Sequence, residues 1–247
     1  MSPGCFDFGG RVFLVTGGTG GIGLAIARGF ARAGADVVSF DLAAGAGEEA
    51  EEGQGHALRG RVTAATGDVT RAGAVAEVVD GLHRLDGVVC CAGVIRRDDE
   101  HDPEVFRDVV EINLNGTMRT LDACRMRLQE SGGTAVAMAS MLSYLGGPRV
   151  PAYSASKGGI VALVRSLAVA WAPWARVNAI APGWVATPLT DPLRGEGDGG
   201  DALVARTPLG RWGRPDDLVG PTLFLSSEAS KFVTGATLPV DGGYLAR

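Results

Sequence analysis

Tyr153 and Lys157 close the run Tyr153-Ser154-Ala155-Ser156-Lys157, and that spacing puts a phenol and an amine one turn apart on one face of a shared helix. An ammonium beside a phenol favours the phenolate. A tyrosine tuned this way takes the proton of an alcohol near neutral pH and returns it in reverse, the proton transfer that accompanies hydride movement between a secondary alcohol and a ketone. The lysine carries its own signal, because the chain has 21 arginines and only two lysines, Lys157 and Lys231. Arginine stays protonated whereas lysine exchanges protons, so a relay position resists replacement by arginine.

Other residues fit around that pair. Ser140 follows the apolar run at 134–139, and ligands gather at the carboxyl ends of parallel strands, where its hydroxyl can bond the reacting oxygen. Asn113 lies in a helical pattern although amides are poor helix formers, which suits a polar task such as holding a water near Lys157. Thr16-Gly17-Gly18-Thr19-Gly20-Gly21-Ile22-Gly23 stands between a strand pattern and a helix pattern, where backbone N–H groups and the helix dipole can hold a pyrophosphate. In a chain with 38 glycines the string alone says little, and its position says more. Asp41 ends the next strand pattern, close to the ~20 residues past the glycines where an acid accepts hydrogen bonds from an adenosine ribose. A carboxylate there repels a 2′-phosphate, and neither residues 18–20 nor 42–44 offer an arginine or lysine to hold one. The expected cofactor is NAD.

Hydrophobic periodicity supplies the elements that must position these groups. Runs at 11–16, 35–40, 62–66, 87–91, 134–139 and 176–181 predict strands, and helical spacing predicts helices over 22–33, 71–85, 105–128 and 152–171. Continuous apolar strands separated by helices indicate a parallel sheet buried on both faces. The fold class is therefore α/β, a doubly wound, Rossmann-type parallel sheet flanked by helices on both faces. A single domain over residues 1–247 is expected, since such folds reach ~250 residues as one unit. Residues 43–60 and 188–201 break the rhythm, and the second stretch predicts a mobile substrate lid around 188–210.

Composition narrows the function classes. With 46% hydrophobic and 21% charged residues the chain has the balance of an ordinary globular protein. A net charge of -5 and scattered arginines argue against nucleic acid and acidic lipid, and favour a small-molecule substrate. No basic segment followed by an apolar stretch opens the chain, and no run reaches the ~18 apolar residues that span a bilayer, so a soluble, cytoplasmic protein is expected. Cys5, Cys90, Cys91 and Cys124 lack metal-ligand spacing, and His56, His83 and His101 sit in polar surroundings, so reduced thiols, surface histidines and no metal are expected.

Taken together, these motifs resemble the short-chain dehydrogenase/reductase family from about Phe8 to the C-terminus. The resemblance implies cofactor contacts from Gly17, Thr19, Gly21, Ile22, Gly23, Asp41 and Leu42, and from Asp68-Val69 at the adenine end. It implies further contacts from Cys90, Ala92 and Gly93, from Pro182-Gly183 with Val185 and Thr187 beside the nicotinamide, and from Tyr153 and Lys157 themselves. Asn113, Ser140, Tyr153 and Lys157 become the catalytic set. One departure is plain: the family has Asn-Asn-Ala-Gly after its fourth strand, and this chain has Cys90-Cys91-Ala92-Gly93. A packed, inert cysteine pair is expected there, beneath a cofactor floor without the amide contacts.

The resemblance also implies a homotetramer, or a homodimer, built through the long helices and C-terminal segment. The segments 141–151, 211–215 and 240–247 are similar to those of the sugar-acid branch that acts on 2-deoxy-gluconate and 2-dehydro-3-deoxy-gluconate. Substrate contacts are expected from Ser140 and Tyr153, with the acid's carboxylate held in bidentate fashion by Arg149 or by the Arg96-Arg97 pair. Two rivals remain open. Reduction of a 3-oxoacyl group on a carrier protein usually takes NADPH and a basic docking surface, which Asp41 and the net charge oppose. A non-catalytic dinucleotide sensor on the same fold would have no use for Ser140, Tyr153 and Lys157.

Overall fold

The computed structural model describes residues 6–43, 58–194 and 198–247, so Cys5, His56 and the centre of the 43–60 stretch lie outside the described residues. Within them run seven strands: β1 (Val12–Thr16), β2 (Asp36–Asp41), β3 (Val62–Thr66), β4 (Gly87–Cys90), β5 (Thr134–Met138), β6 (Arg176–Pro182) and β7 (Thr237–Val240). All pair in parallel, in the order β3-β2-β1-β4-β5-β6-β7. The chain winds outward from β1 to β3, then crosses back to β4 and winds the other way. The loops leaving β1 and β4 therefore part in opposite directions and open a crevice at their carboxyl ends.

The helices are α1 (Gly21–Arg32), α2 (Ala74–Asp80), α3 (Pro103–Val110), α4 (Gly116–Ser131), α5 (Pro151–Trp171), α6 (Asp198–Arg206) and α7 (Val219–Ser226). Three differ from the sequence reading for local reasons. Gly73, at φ +82°, and Gly81 trim the expected 71–85 helix to α2. The expected 105–128 helix starts earlier, at Pro103, because the Asp102 carboxylate accepts from the N–H groups of Glu104 and Val105. It is then interrupted by a π-helical turn over Glu111–Asn115. The segments α6, α7 and β7 carry Gly or Pro that hide their periodicity, and α6 forms within the stretch read as a lid. Pro221 is tolerated in α7 because it sits in the first turn, where its missing N–H is not needed.

Strand alternation divides the core into two layers. Phe13, Val15, Val89, Val136 and Ile180 face α1 and α7, meeting Ile26, Phe30 and Leu225. Leu14, Val88, Ala135, Ala137, Ala179 and Ala181 face the other way, toward Leu121, Cys124 and Leu128 of α4 and Ile160 and Val164 of α5. The alanines on that face let α5, the helix bearing Tyr153, lie close over the sheet. The Phe13 and Phe30 rings stack at 4.0 Å between centroids, and burying a side chain of this size stabilises the fold by roughly 1.5–3 kcal/mol. Among the described residues, no helix is long and apolar enough to cross a membrane.

Candidate active site

A cleft of about 500 Å³ opens at the carboxyl ends of the central strands. One half is built from backbone. The loop after β1 feeds directly into α1, whose N-cap is Gly20 and whose first N–H groups have no side-chain cap. Gly17 has φ +66°, and a Cβ there would meet the Ala92 nitrogen at 2.7 Å; a Cβ on Gly23 would meet the Gly17 carbonyl oxygen at 2.0 Å. These contacts make glycine obligatory and press the loop onto the strand end, leaving uncapped donors toward the cleft. Such a cradle fits a dinucleotide pyrophosphate.

The edge of that half is acidic. The Asp41 carboxylate, one residue beyond Phe40 at the end of β2, accepts from the Thr19 N–H at 3.2 Å, the Thr19 hydroxyl at 2.7 Å and the Leu42 N–H at 2.8 Å. Asp68 turns its carboxylate onto the N–H and hydroxyl of Thr70, each at 2.8 Å. Leu42, Asp68 and Val69 line this end together with Phe40, Gly67 and Thr70. Among the described residues no arginine lines the cleft, and its one lysine, Lys157, stands at the far end.

The cofactor positions expected from the sequence line the cleft with one exception. Cys90 is 2% exposed and packs with Cys124 and Leu121 under α4, whereas Cys91 lines the cleft. Successive residues of a strand face opposite ways, so the expected contact falls one position later. Burial pushes the Cys90 thiol well up and the Cys91 thiol up to about 12, so both stay protonated, but only Cys90 is packed away and Cys91 is half-buried at the cleft wall.

The other half is built from side chains. Ser140 leaves β5 in an extended conformation and begins a short 3-10 turn, its hydroxyl accepting from the Leu142 N–H at 3.1 Å. Ser143 of that turn donates to the Lys157 carbonyl at 2.7 Å, which fixes the serine against α5. Lys157 is 4% exposed and donates from Nζ to the Met138 carbonyl at 2.7 Å, with Nζ 5.6 Å from the centre of the Tyr153 ring. Burial lowers the lysine to about 8, within reach of proton exchange near neutral pH. For Tyr153 the structure corrects the sequence argument. Burial raises the phenol above its usual value; the nearby Ser140 hydroxyl and Arg97 pull it down, and Glu100 adds to the rise.

The side chain of Asn113 is bonded to protein partners. Its Oδ1 accepts from the Val94 N–H at 2.8 Å, and its Nδ2 donates to the Val94 carbonyl at 2.9 Å and to the Ser156 hydroxyl at 3.2 Å. The π turn admits one extra residue per turn and swings this amide inward, where it ties the loop following β4 to α5. It borders the Lys157 amine: a Cβ on Gly93 would lie 3.1 Å from Asn113 Oδ1 and 3.7 Å from Lys157 Nζ.

All three arginines lie outside the cleft lining. Arg149 is exposed and its guanidinium grips both oxygens of Asp98. Arg96 is exposed and donates to the Ile95 carbonyl at 3.4 Å. Arg97 is partly buried, donates to the Leu189 carbonyl at 2.9 Å, and is close enough to Tyr153 to favour the phenolate. Residues that the sequence did not signal also line the cleft, notably Ile112, Met138, Val94 and Leu189. Plain apolar residues carry no motif, and only the topology brings them to one opening.

Comparison with known proteins agrees with this geometry. The family model described as enoyl-(acyl carrier protein) reductase matches residues 17–245. The chain is 40% identical to the 2-dehydro-3-deoxy-D-gluconate 5-dehydrogenase of Dickeya dadantii (strain 3937), with 98% of each chain covered. It is 39% identical to the enzyme of the same name from Escherichia coli (strain K12), again with 98% of each covered. The crystal structure of a gluconate 5-dehydrogenase from Burkholderia cenocepacia J2315, in complex with NADP and tartrate, superposes with a TM-score of 0.89 at 33% identity, covering 98% of each chain.

Proposed function

Since the chain belongs to the short-chain dehydrogenase/reductase family, oxidoreductases that use a nicotinamide dinucleotide, we propose that it oxidises a secondary alcohol of a sugar acid with NAD and reduces the ketone in reverse. The substrate class is that of 2-deoxy-gluconate and 2-dehydro-3-deoxy-gluconate, as the names of similar proteins suggest. The observation that carries the reading is the convergence of Ser140, Tyr153 and buried Lys157 on one end of a cleft whose other end is a glycine cradle.

When bound, the nicotinamide accepts or donates the hydride. Ser140 and Tyr153 hold the substrate oxygen between two hydroxyls, and Tyr153 removes its proton during oxidation. Lys157 keeps two N–H donors beyond its bond to Met138, available to a ribose and to proton exchange. Because Tyr153 is raised, the neutral phenol predominates at pH 7 and serves ketone reduction as an acid. Alcohol oxidation needs the phenolate and grows as pH rises.

Asp41 favours NAD over NADP: a 2′-phosphate at this edge would meet its carboxylate with no arginine or lysine among the described lining residues beside it. Residues 188–210 serve as the cover of one domain. Exposed Met118 and Met126 on α4 and Val169 on α5 suit subunit contacts in a homotetramer. Tyr153→Phe tests the core of the proposal: turnover of NAD with the sugar acid is lost while NAD binding by calorimetry persists, and retained turnover sinks the mechanism.

A further inference from the structure

The run Arg96-Arg97-Asp98-Asp99-Glu100-His101-Asp102 reads as a solvated charged loop, yet Glu100 is 0% exposed. A carboxylate withdrawn from water is costly unless its oxygens are satisfied. Here Oε2 accepts from the Tyr153 N–H at 2.7 Å and Oε1 from the Arg96 N–H at 2.8 Å. Tyr153 is the third residue of α5, and that helix has no side-chain cap from its own N-cap, Val150. Glu100 thus caps the tyrosine-bearing helix from a loop 53 residues earlier, where the helix dipole favours negative charge.

The loop is held down on both sides. The Asp98 N–H donates to the Arg149 carbonyl at 2.9 Å, the Arg149 guanidinium grips Asp98, and His101 Nε2 lies 2.9 Å from the Pro148 carbonyl. Arg97 leaves the same loop to reach the Leu189 carbonyl. One strap therefore joins the start of α5 to the cover of the cleft.

We infer that Glu100 is a positioning residue, holding Tyr153 in the cleft through a buried carboxylate shared between the N–H groups of Tyr153 and Arg96. The inference rests on Tyr153 being the base. Two donors converge, so two acceptor oxygens are required; glutamine would turn its amide toward one of the N–H groups, and aspartate is one methylene too short. The charged and titratable groups around the phenol are Lys157 on its own helix, with Arg97 and Glu100 on the strap and the Ser140 hydroxyl beneath. Around Glu100 stand Arg97, Asp98, Asp99, His101 and Arg149. Arg97 favours the phenolate and Glu100 opposes it, so the strap presents opposed charges to one proton.

The chain has three tyrosines, Tyr144, Tyr153 and Tyr244, so ring-carbon NMR with labelled tyrosine resolves them, and Tyr153→Phe assigns the signal. In Glu100→Gln, kcat falls about tenfold or more with the NAD dissociation constant unchanged, and the Tyr153 titration moves to lower pH; in Arg97→Met it moves to higher pH. A merely structural cap would leave the titration in place. An unmoved or raised titration in Glu100→Gln, or wild-type kcat, overturns the inference. Should Glu100→Gln not fold, Glu100→Asp decides: a depressed kcat with unchanged NAD affinity supports the role, and wild-type kcat removes it. Turnover retained in Tyr153→Phe would instead overturn the assignment of the base, a separate result from the titrations.

Discussion

The two ends of the cleft are built by different means. At the glycine loop the contacts are backbone N–H groups on one continuous strand-loop-helix segment, Val12 to Arg32, and side chains matter chiefly by being absent. At the catalytic end the lining is side chains from the turn after β5, from α5 and from the loop after β6, and they are held by partners remote in the chain, the 96–101 strap among them. A backbone site depends on local geometry alone. A side-chain site depends on what the fold buries and what it pairs, so its chemistry is set by the neighbours of each residue.

Predictions can break that contrast, beginning with the largest effect. Tyr153→Phe, which deletes one oxygen and leaves the loop intact, lowers kcat by about 10³-fold in steady-state assays with NAD affinity kept. If affinity fell equally, the two ends would not be separable. Gly23→Ala acts in the opposite sense: its Cβ would lie 2.0 Å from the Gly17 oxygen, and overpacking of this kind costs about 1–3 kcal/mol. Calorimetry should show NAD binding weakened about tenfold, with kcat at saturating NAD nearly unchanged.

Asp41→Ala probes the acidic edge. Removing a like charge facing the 2′-phosphate improves kcat/KM for NADP relative to NAD by about tenfold, and an unchanged ratio would show that Asp41 does not choose the cofactor. The pH profile sharpens the catalytic end: with Tyr153 raised and Lys157 lowered to about 8, oxidative kcat/KM climbs from pH 7 toward pH 10 and reductive kcat/KM declines. A flat oxidative profile would count against the tyrosine as base. The smallest effect belongs to Arg149→Ala. Its pair with Asp98 is exposed on both sides, so melting temperature and sugar-acid KM should barely move, because solvent screens such a surface pair. A large rise in KM for the acid, absent for a neutral analogue, would restore Arg149 as the carboxylate anchor.

The backbone end was the more legible. Strand, glycine string, helix and Asp41 lie within about thirty residues, and the conformations they need are local properties of glycine and of apolar runs. Even there, Cys91 and not Cys90 lines the cleft, because the face a strand residue presents depends on its parity against a packed sheet. At the catalytic end the Tyr153–Lys157 spacing was readable, since one helical turn fixes it. An amide at Asn113 is out of keeping with the helical pattern around it, yet its partners, Val94 and Ser156, follow from a π turn that periodicity does not reveal. Arg149 and Arg97 are alike as letters; Asp98 occupies one, and the other reaches the Leu189 carbonyl near Tyr153.

By itself, then, the sequence determined the alternation of strands and helices, the glycine cradle, the acid at the end of β2 and the tyrosine–lysine pair, all of them features encoded within a turn or a single β-α-β unit. The tertiary structure alone decided that Glu100 is buried against Tyr153, that Arg97 and not Arg149 neighbours the phenol, and that burial raises the tyrosine that an adjacent ammonium was expected to lower. The reason is physical: desolvation and charge pairing depend on distance in space, and these partners meet across more than fifty residues of chain.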